Sequence, residues 1–195
     1  MIMKKLALMG SYVCLESIVS RLSDIEIIFI ADNPNSEVFS KAKNLGVECR
    51  YVPKEEFASF FALNDFDLIA MTDCVDLLSD EVLTHGRFIN MHPSLLPAFK
   101  NNDAMYSAYM AGVKVSGVTV HWVTADIDGG KIIAQYPVLI GNATHFDEFK
   151  NDIIRLEQTL YPIVIDKLLR DEVFDFQDLL GGCSSGCSSC GNCHG

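Results

Sequence analysis

Short, nearly continuous apolar runs recur through the first ninety residues, and this pattern constrains the fold more than any other feature. They occupy residues 6–9, 26–31, 67–71 and 88–92, with a shorter strand at 49–52. Strands without polar alternation have no face to offer water, so both of their faces must be covered. Helical patterns lie between them at residues 14–22, 54–63 and 79–84. Another has Val38, Ala42 and Leu45 on one face, with Ser36 as its N-cap and Gly46 as its stop. Repetition of strand, helix and strand predicts an α/β fold with a doubly wound, mostly parallel sheet.

After Pro97 the texture changes. Residues 103–111 read as a helix ended by Gly112, and residues 116–123 and 131–139 read as strands rich in β-branched side chains. The loop between those strands ends in Gly129-Gly130, a pair that permits unusual backbone angles. Thr144 with Asp147 predicts the capping pair of a long amphipathic helix. Its stripe of Phe146, Phe149, Ile153, Leu156, Leu160, Ile163 and Leu168 has core spacing, not the spacing of a cofactor box. From Gly181 onward the chain is Gly, Ser and Cys with one Asn and one His, which cannot build a core. The expected division is a catalytic domain of residues 1–180 and a tail of residues 181–195.

Charge removes whole classes of partner. Fifteen Lys and Arg against 26 Asp and Glu leave a net charge of −11, and the longest basic run is Lys4-Lys5. Phosphate backbones would be repelled, so nucleic acid is not an expected partner. No segment approaches the ~20 apolar residues that cross a bilayer. The N-terminal apolar run is too short for a signal peptide, and Glu16 interrupts it. No membrane partner is expected, and the expected compartment is the cytoplasm. Cys14, Cys49 and Cys74 are isolated, whereas Cys183, Cys187, Cys190 and Cys193 crowd into the tail. That distribution suits a reducing compartment. The tail cysteines are separated by three, two and two residues, a set that could hold Zn²⁺ or an iron–sulfur cluster. The same composition also fits a redox-labile tail that binds metal only adventitiously.

Parallel sheets bind ligands beyond the carboxyl ends of their strands. Asn90 and His92 stand at such an end, two residues apart and therefore on one side of the strand. Pro93 and Pro97 restrict the loop that follows. Asp128, in the Gly-rich loop, can be folded beside His92, where a carboxylate fixes an imidazole's tautomer and favours its protonated form. An Asn amide with an imidazolium makes a pair of donors for a developing oxyanion. The same residues also fit a plain strand end and an Asp-Gly turn. Ser94 follows a proline and lacks the Gly-x-Ser-x-Gly elbow, so it is not read as a nucleophile.

Asn90-Met91-His92-Pro93-Ser94-Leu95-Leu96-Pro97 resembles the signature of the folate-dependent formyltransferases. Residues 117–123 and 126–135 resemble its continuation, and the likeness extends over roughly residues 4–170. It implies a Rossmann-like domain, 10-formyltetrahydrofolate as donor, a small-molecule amine as acceptor, and Asn90, His92 and Asp128 as the catalytic residues. It further implies a folate pocket walled by Val75, Leu77 and Leu78 with Asp126, Ile127 and Gly129. The acceptor's phosphate would meet Gly10, Ser11 and Tyr12. That turn departs from the family's Gly-x-Gly-Ser-Asn, and Lys100-Asn101 replaces a usual Pro-Gly pair. In the loop after the fourth strand, Asp76 stands where the family carries Arg. The branch acting on glycinamide ribonucleotide in purine biosynthesis is closest in length and wording. Formyltetrahydrofolate hydrolysis and sugar-amine formylation are alternatives, as is a non-catalytic, regulatory folate-binding relative. His121 is read either as backing the reacting residues or as strand packing. The sequence carries no signal for oligomeric state.

Overall fold

The computed structural model describes residues 3–72, 78–100, 102–175 and 179. Seven strands form one sheet: β1 (Lys5–Gly10), β2 (Glu26–Ala31), β3 (Glu48–Tyr51), β4 (Leu68–Thr72), β5 (Phe88–His92), β6 (Val115–Trp122) and β7 (Ile132–Leu139). Their order is β3-β2-β1-β4-β5-β6-β7, with the first five strands parallel and β6 and β7 antiparallel to their neighbours. The helices are α1 (Leu15–Arg21), α2 (Val38–Asn44), α3 (Phe57–Leu63), α4 (Asp80–Leu83), α5 (Ala104–Met110) and α6 (Phe146–Leu169). This is the doubly wound, Rossmann-like arrangement that the apolar runs predict.

Strand periodicity sorts the core into two layers. Leu6, Leu8, Phe29, Leu68, Ala70, Ile89 and Met91 pack with Leu15 and Ile18 of α1 and with Phe149, Ile153 and Leu160 of α6. Their alternates Ala7, Met9, Ile30, Ile69, Met71 and Phe88 pack with Phe57 and Phe61 of α3 and Val82 of α4. On β5, therefore, Ile89 and Met91 serve one layer while Phe88 points to the other, and Asn90 and His92 share the side of Phe88.

Two local expectations shift. The long helix is capped one residue later than Thr144 and Asp147 suggest. Its N-cap is His145, whose backbone N–H donates to the Glu148 carboxylate at 3.1 Å. Thr144 instead closes the preceding turn by accepting from the Gly141 N–H at 3.0 Å. The segment read as one helix from residue 54 starts as a 3₁₀ turn, Lys54–Glu56, directly after Pro53. Among the described residues no helix is long and apolar enough to cross a membrane. The tail of residues 181–195 lies outside the described residues.

Tyr161 fastens α6 to the sheet. Its ring is fully buried, and its hydroxyl donates to the Met71 carbonyl at 2.8 Å and lies 3.3 Å from that of Ile89. Tyr161→Phe keeps the packing and removes the donor, so urea unfolding should show a loss of about 1 kcal/mol.

Candidate active site

Strand pairing assembles the polar centre. In the β5–β6 register Asn90 lies opposite His121, and His92 opposite Thr119. All four are nearly or wholly buried. The loop between β6 and β7 then returns Asp128 to this face. Its carboxylate lies between two imidazoles, with Oδ2 3.4 Å from His92 Nδ1 and Oδ1 3.5 Å from His121 Nε2. Both separations exceed the ~2.7–2.9 Å of a tight charge-assisted hydrogen bond, as is common before a ligand draws such groups together. The other nitrogen of His92, Nε2, is 2.9 Å from the Phe99 carbonyl. His92 thus has an acceptor opposite each ring nitrogen.

Asp128 itself adopts φ +48°, so the unusual backbone angle expected of the glycine pair falls on the aspartate. The glycines answer a steric demand instead. A Cβ on Gly130 would stand 1.7 Å from the Trp122 carbonyl oxygen, and one on Gly129 2.7 Å from Asp126 Cβ. The Gly129 N–H donates to the Asp126 carbonyl at 3.1 Å and closes the turn.

The His121 imidazole is held by its own strand: Nδ1 lies 2.9 Å from the Trp122 carbonyl and acts as the donor. Burial pushes its pKa below the ordinary histidine range. The Trp122 carbonyl and Asp128 oppose that shift, and the neighbouring His92 and Lys100 reinforce it. A neutral ring with its proton on Nδ1 leaves Nε2 as a buried acceptor without a hydrogen-bond donor. Asn90 Oδ1, on the paired residue, is in the same condition.

These groups line a cavity of about 740 Å³, together with Leu78, Asp126 and Ile127. Of the residues expected to hold folate, those three therefore join Asn90, His92 and Asp128. Gly129 contributes its turn without lining the cavity, and Val75 and Leu77 lie outside the described residues. So do Cys183, Cys187, Cys190 and Cys193. The far wall comes from the starts of α5 and α6, through Asn102, Tyr106, Phe146 and Lys150. No sequence motif marks Asn102, Tyr106 or Lys150, and Phe146, expected only as a core position of the helical stripe, also faces the cavity, because tertiary packing alone brings the two helix starts together.

Gly10, Ser11 and Tyr12 do not line this cavity. Gly10 turns the chain at φ +92°, so close to β4 that a Cβ would meet the Thr72 carbonyl oxygen at 2.0 Å. The Ser11 N–H donates to that same carbonyl at 2.9 Å, the Val13 N–H to Ser11 Oγ at 3.2 Å, and the Leu15 N–H to the Tyr12 carbonyl at 3.0 Å. Tyr12 donates its hydroxyl to the Glu37 carboxylate at 3.0 Å, and that carboxylate holds the phenol above its usual pKa. Its ring borders a separate groove with Lys41 and Gln158.

The formyl transferase family model matches residues 19–165. This chain belongs to the formyl transferase family. Within that family, phosphoribosylglycinamide formyltransferase of Bacillus subtilis is 36% identical over 186 residues, covering 86% of this chain and 95% of its own. The crystal structure of glycinamide ribonucleotide transformylase 1 from Geobacillus kaustophilus superposes with a TM-score of 0.79 at 30% identity, covering 86% of this chain and all of that one. A formyltetrahydrofolate deformylase of Synechocystis is 28% identical over 151 residues, 73% of this chain and 52% of its own.

The depressed pKa of His121 makes the stability of this formyl transferase pH-dependent. Unfolded, the imidazole titrates near ~6.5. Below that pH the unfolded chain takes a proton that the folded chain refuses, so this contribution is lost as pH falls from ~6.5 to the lower folded value. Urea midpoints measured from about pH 7.5 down to about pH 5 should decline, and His121→Gln should remove part of that decline.

Proposed function

We propose that this enzyme transfers the formyl group of 10-formyltetrahydrofolate to the primary amine of glycinamide ribonucleotide, a step of purine biosynthesis. The observation that carries this reading is the gathering of Asn90, His92 and Asp128 in one cavity of a formyl transferase family chain. When bound, 10-formyltetrahydrofolate supplies the formyl carbon and leaves as tetrahydrofolate with a proton on the released nitrogen. The cavity lies within the ~300–1,000 Å³ range of small-molecule sites, and Leu78, Asp126 and Ile127 would hold the donor.

The side-chain amide of Asn90 and the Nδ1–H of His92 act as donors to the carbonyl oxygen, which becomes an oxyanion as the amine adds to carbon. Asp128 keeps the imidazolium oriented and orders the water that carries the amine's proton to the departing nitrogen. Acid–base assistance of this kind contributes roughly 10²–10⁴-fold. His92→Ala and Asp128→Asn should each lower kcat at least ~10²-fold, followed by folate absorbance, with urea midpoints near wild type. A variant within about twofold of wild type would remove that residue from the mechanism.

One observation favours a second reading, hydrolysis of the donor by water. The turn that would meet the acceptor's phosphate already uses its Ser11, Val13 and Leu15 N–H groups internally. Donor turnover only in the presence of glycinamide ribonucleotide supports transfer, and equal turnover without it supports hydrolysis. The reading places the enzyme in the cytoplasm, with a catalytic domain of residues 1–180. It assigns Cys183, Cys187, Cys190 and Cys193 of the tail to Zn²⁺ or an iron–sulfur cluster apart from the reaction. Metal analysis of the chain truncated after Leu180, beside the full chain, tests that assignment.

A further inference from the structure

The geometry points to Ser94 and Phe99 as a positioning pair that keeps a proton on His92 Nε2 and so makes Nδ1 the reacting nitrogen. Ser94 is fully buried two residues beyond His92, and its backbone N–H donates to the His92 carbonyl at 2.9 Å. Its hydroxyl donates to the Ala98 carbonyl at 2.7 Å and lies 3.3 Å from the Phe99 carbonyl. The Phe99 carbonyl therefore lies between His92 Nε2, its close donor, and Ser94 Oγ, whose single proton goes chiefly to Ala98 and reaches Phe99 as the longer branch.

Phe99 reaches this position with φ +52°, a region that non-glycine residues enter at a cost. The surrounding bonds hold it there. Thr119 Oγ1 donates to the Ser94 carbonyl at 2.6 Å and accepts from the Leu96 N–H and from the Gln135 amide, both at 3.0 Å. The Gln135 amide also donates to the Leu96 carbonyl at 2.8 Å. A carbonyl cannot donate, so the Phe99 oxygen accepts only a ring that carries its proton on Nε2. The neutral ring is then the Nε2–H tautomer, and the cation differs from it only at Nδ1, which faces Asp128. Proton exchange with the reacting groups is confined to that nitrogen.

Two-bond ¹H–¹⁵N spectra of the histidines, with His92 assigned by its loss in His92→Gln, read the tautomer directly. Wild type should show His92 protonated at Nε2, as either the Nε2–H tautomer or the imidazolium. Ser94→Ala should populate the Nδ1–H tautomer and lower kcat by ~10-fold, with KM for the formyl donor within about twofold. Phe99→Val should do the same, because a β-branched residue resists positive φ, whereas Phe99→Gly should keep the wild-type spectrum. Should Ser94→Ala fail to fold, the contrast between the two Phe99 variants decides. A wild-type His92 with its neutral proton on Nδ1 would overturn the inference, as would identical spectra for Phe99→Val and Phe99→Gly. The kinetic arm rests on the proposed formyl transfer, but the spectra do not. Absence of turnover in wild type would therefore overturn that reading and leave the tautomer to be judged alone.

Discussion

The buried hydroxyl of Thr119 ties the loop after β5 to the antiparallel half of the sheet. It makes three hydrogen bonds, to the Ser94 carbonyl, the Leu96 N–H and the Gln135 amide, and none of them reaches solvent. Polar groups taken out of water are costly unless paired, so a single arrangement of the loop satisfies them all. The loop in turn fixes the carbonyl that faces His92. The register that sets Thr119 opposite His92 also sets His121 opposite Asn90. Because β6 runs antiparallel to β5, the β6–β7 loop leaves the sheet beside the start of β5 and folds back along the sheet to bring Asp128 to His121 and His92.

Placing one carboxylate between two imidazoles divides their roles. His92 has an acceptor facing each ring nitrogen. His121 is pushed toward neutrality by burial, with its Nδ1 proton committed to the Trp122 carbonyl. Asp128 therefore faces Nδ1 of one ring and Nε2 of the other. The close approach of Gly130 to Trp122 makes this possible, because any side chain there would push the loop off the strand and draw the carboxylate away.

Much of this was legible in the sequence for identifiable reasons. Continuous apolar runs exposed the parallel strands, and the two-residue spacing of Asn90 and His92 placed both on one side of β5. Asp128 was found through its loop, although the glycines beside it serve space and not backbone angle. The helix cap was misplaced by one residue because Thr144, Asp147, His145 and Glu148 offer two overlapping capping pairs, and only packing of α6 selects one. Tyr106 and Lys150 left no trace and Phe146 was read as core alone, since positions on two separate helices acquire a common cavity only in three dimensions. Ser94 lacks the elbow of a nucleophile in sequence, and a serine buried beside a strand-end histidine has to find partners for its hydroxyl. Those partners are the Ala98 and Phe99 carbonyls, and the second of them also faces the His92 ring.

The reacting end and the selecting end of the site are built by different parts of the chain. The β5, β6 and β7 strands and their loops supply Asn90, His92, His121 and Asp128, whereas acceptor recognition in the resemblance falls to the turn between β1 and α1. In this chain the Ser11, Val13 and Leu15 N–H groups are taken up by Thr72, Ser11 and Tyr12, and the turn leads into a helix of only seven residues, with Glu37 beside Tyr12. An anion arriving there would meet the Lys41 ammonium as well as the Glu37 carboxylate. The cavity itself presents Asp103, Asp126 and Asp128 against Lys150. Because the β1–α1 turn and the cluster of Asn90, His92 and Asp128 share no residue, the one can diverge in sequence without disturbing the other, and a fold can so keep one cluster beside differing surroundings.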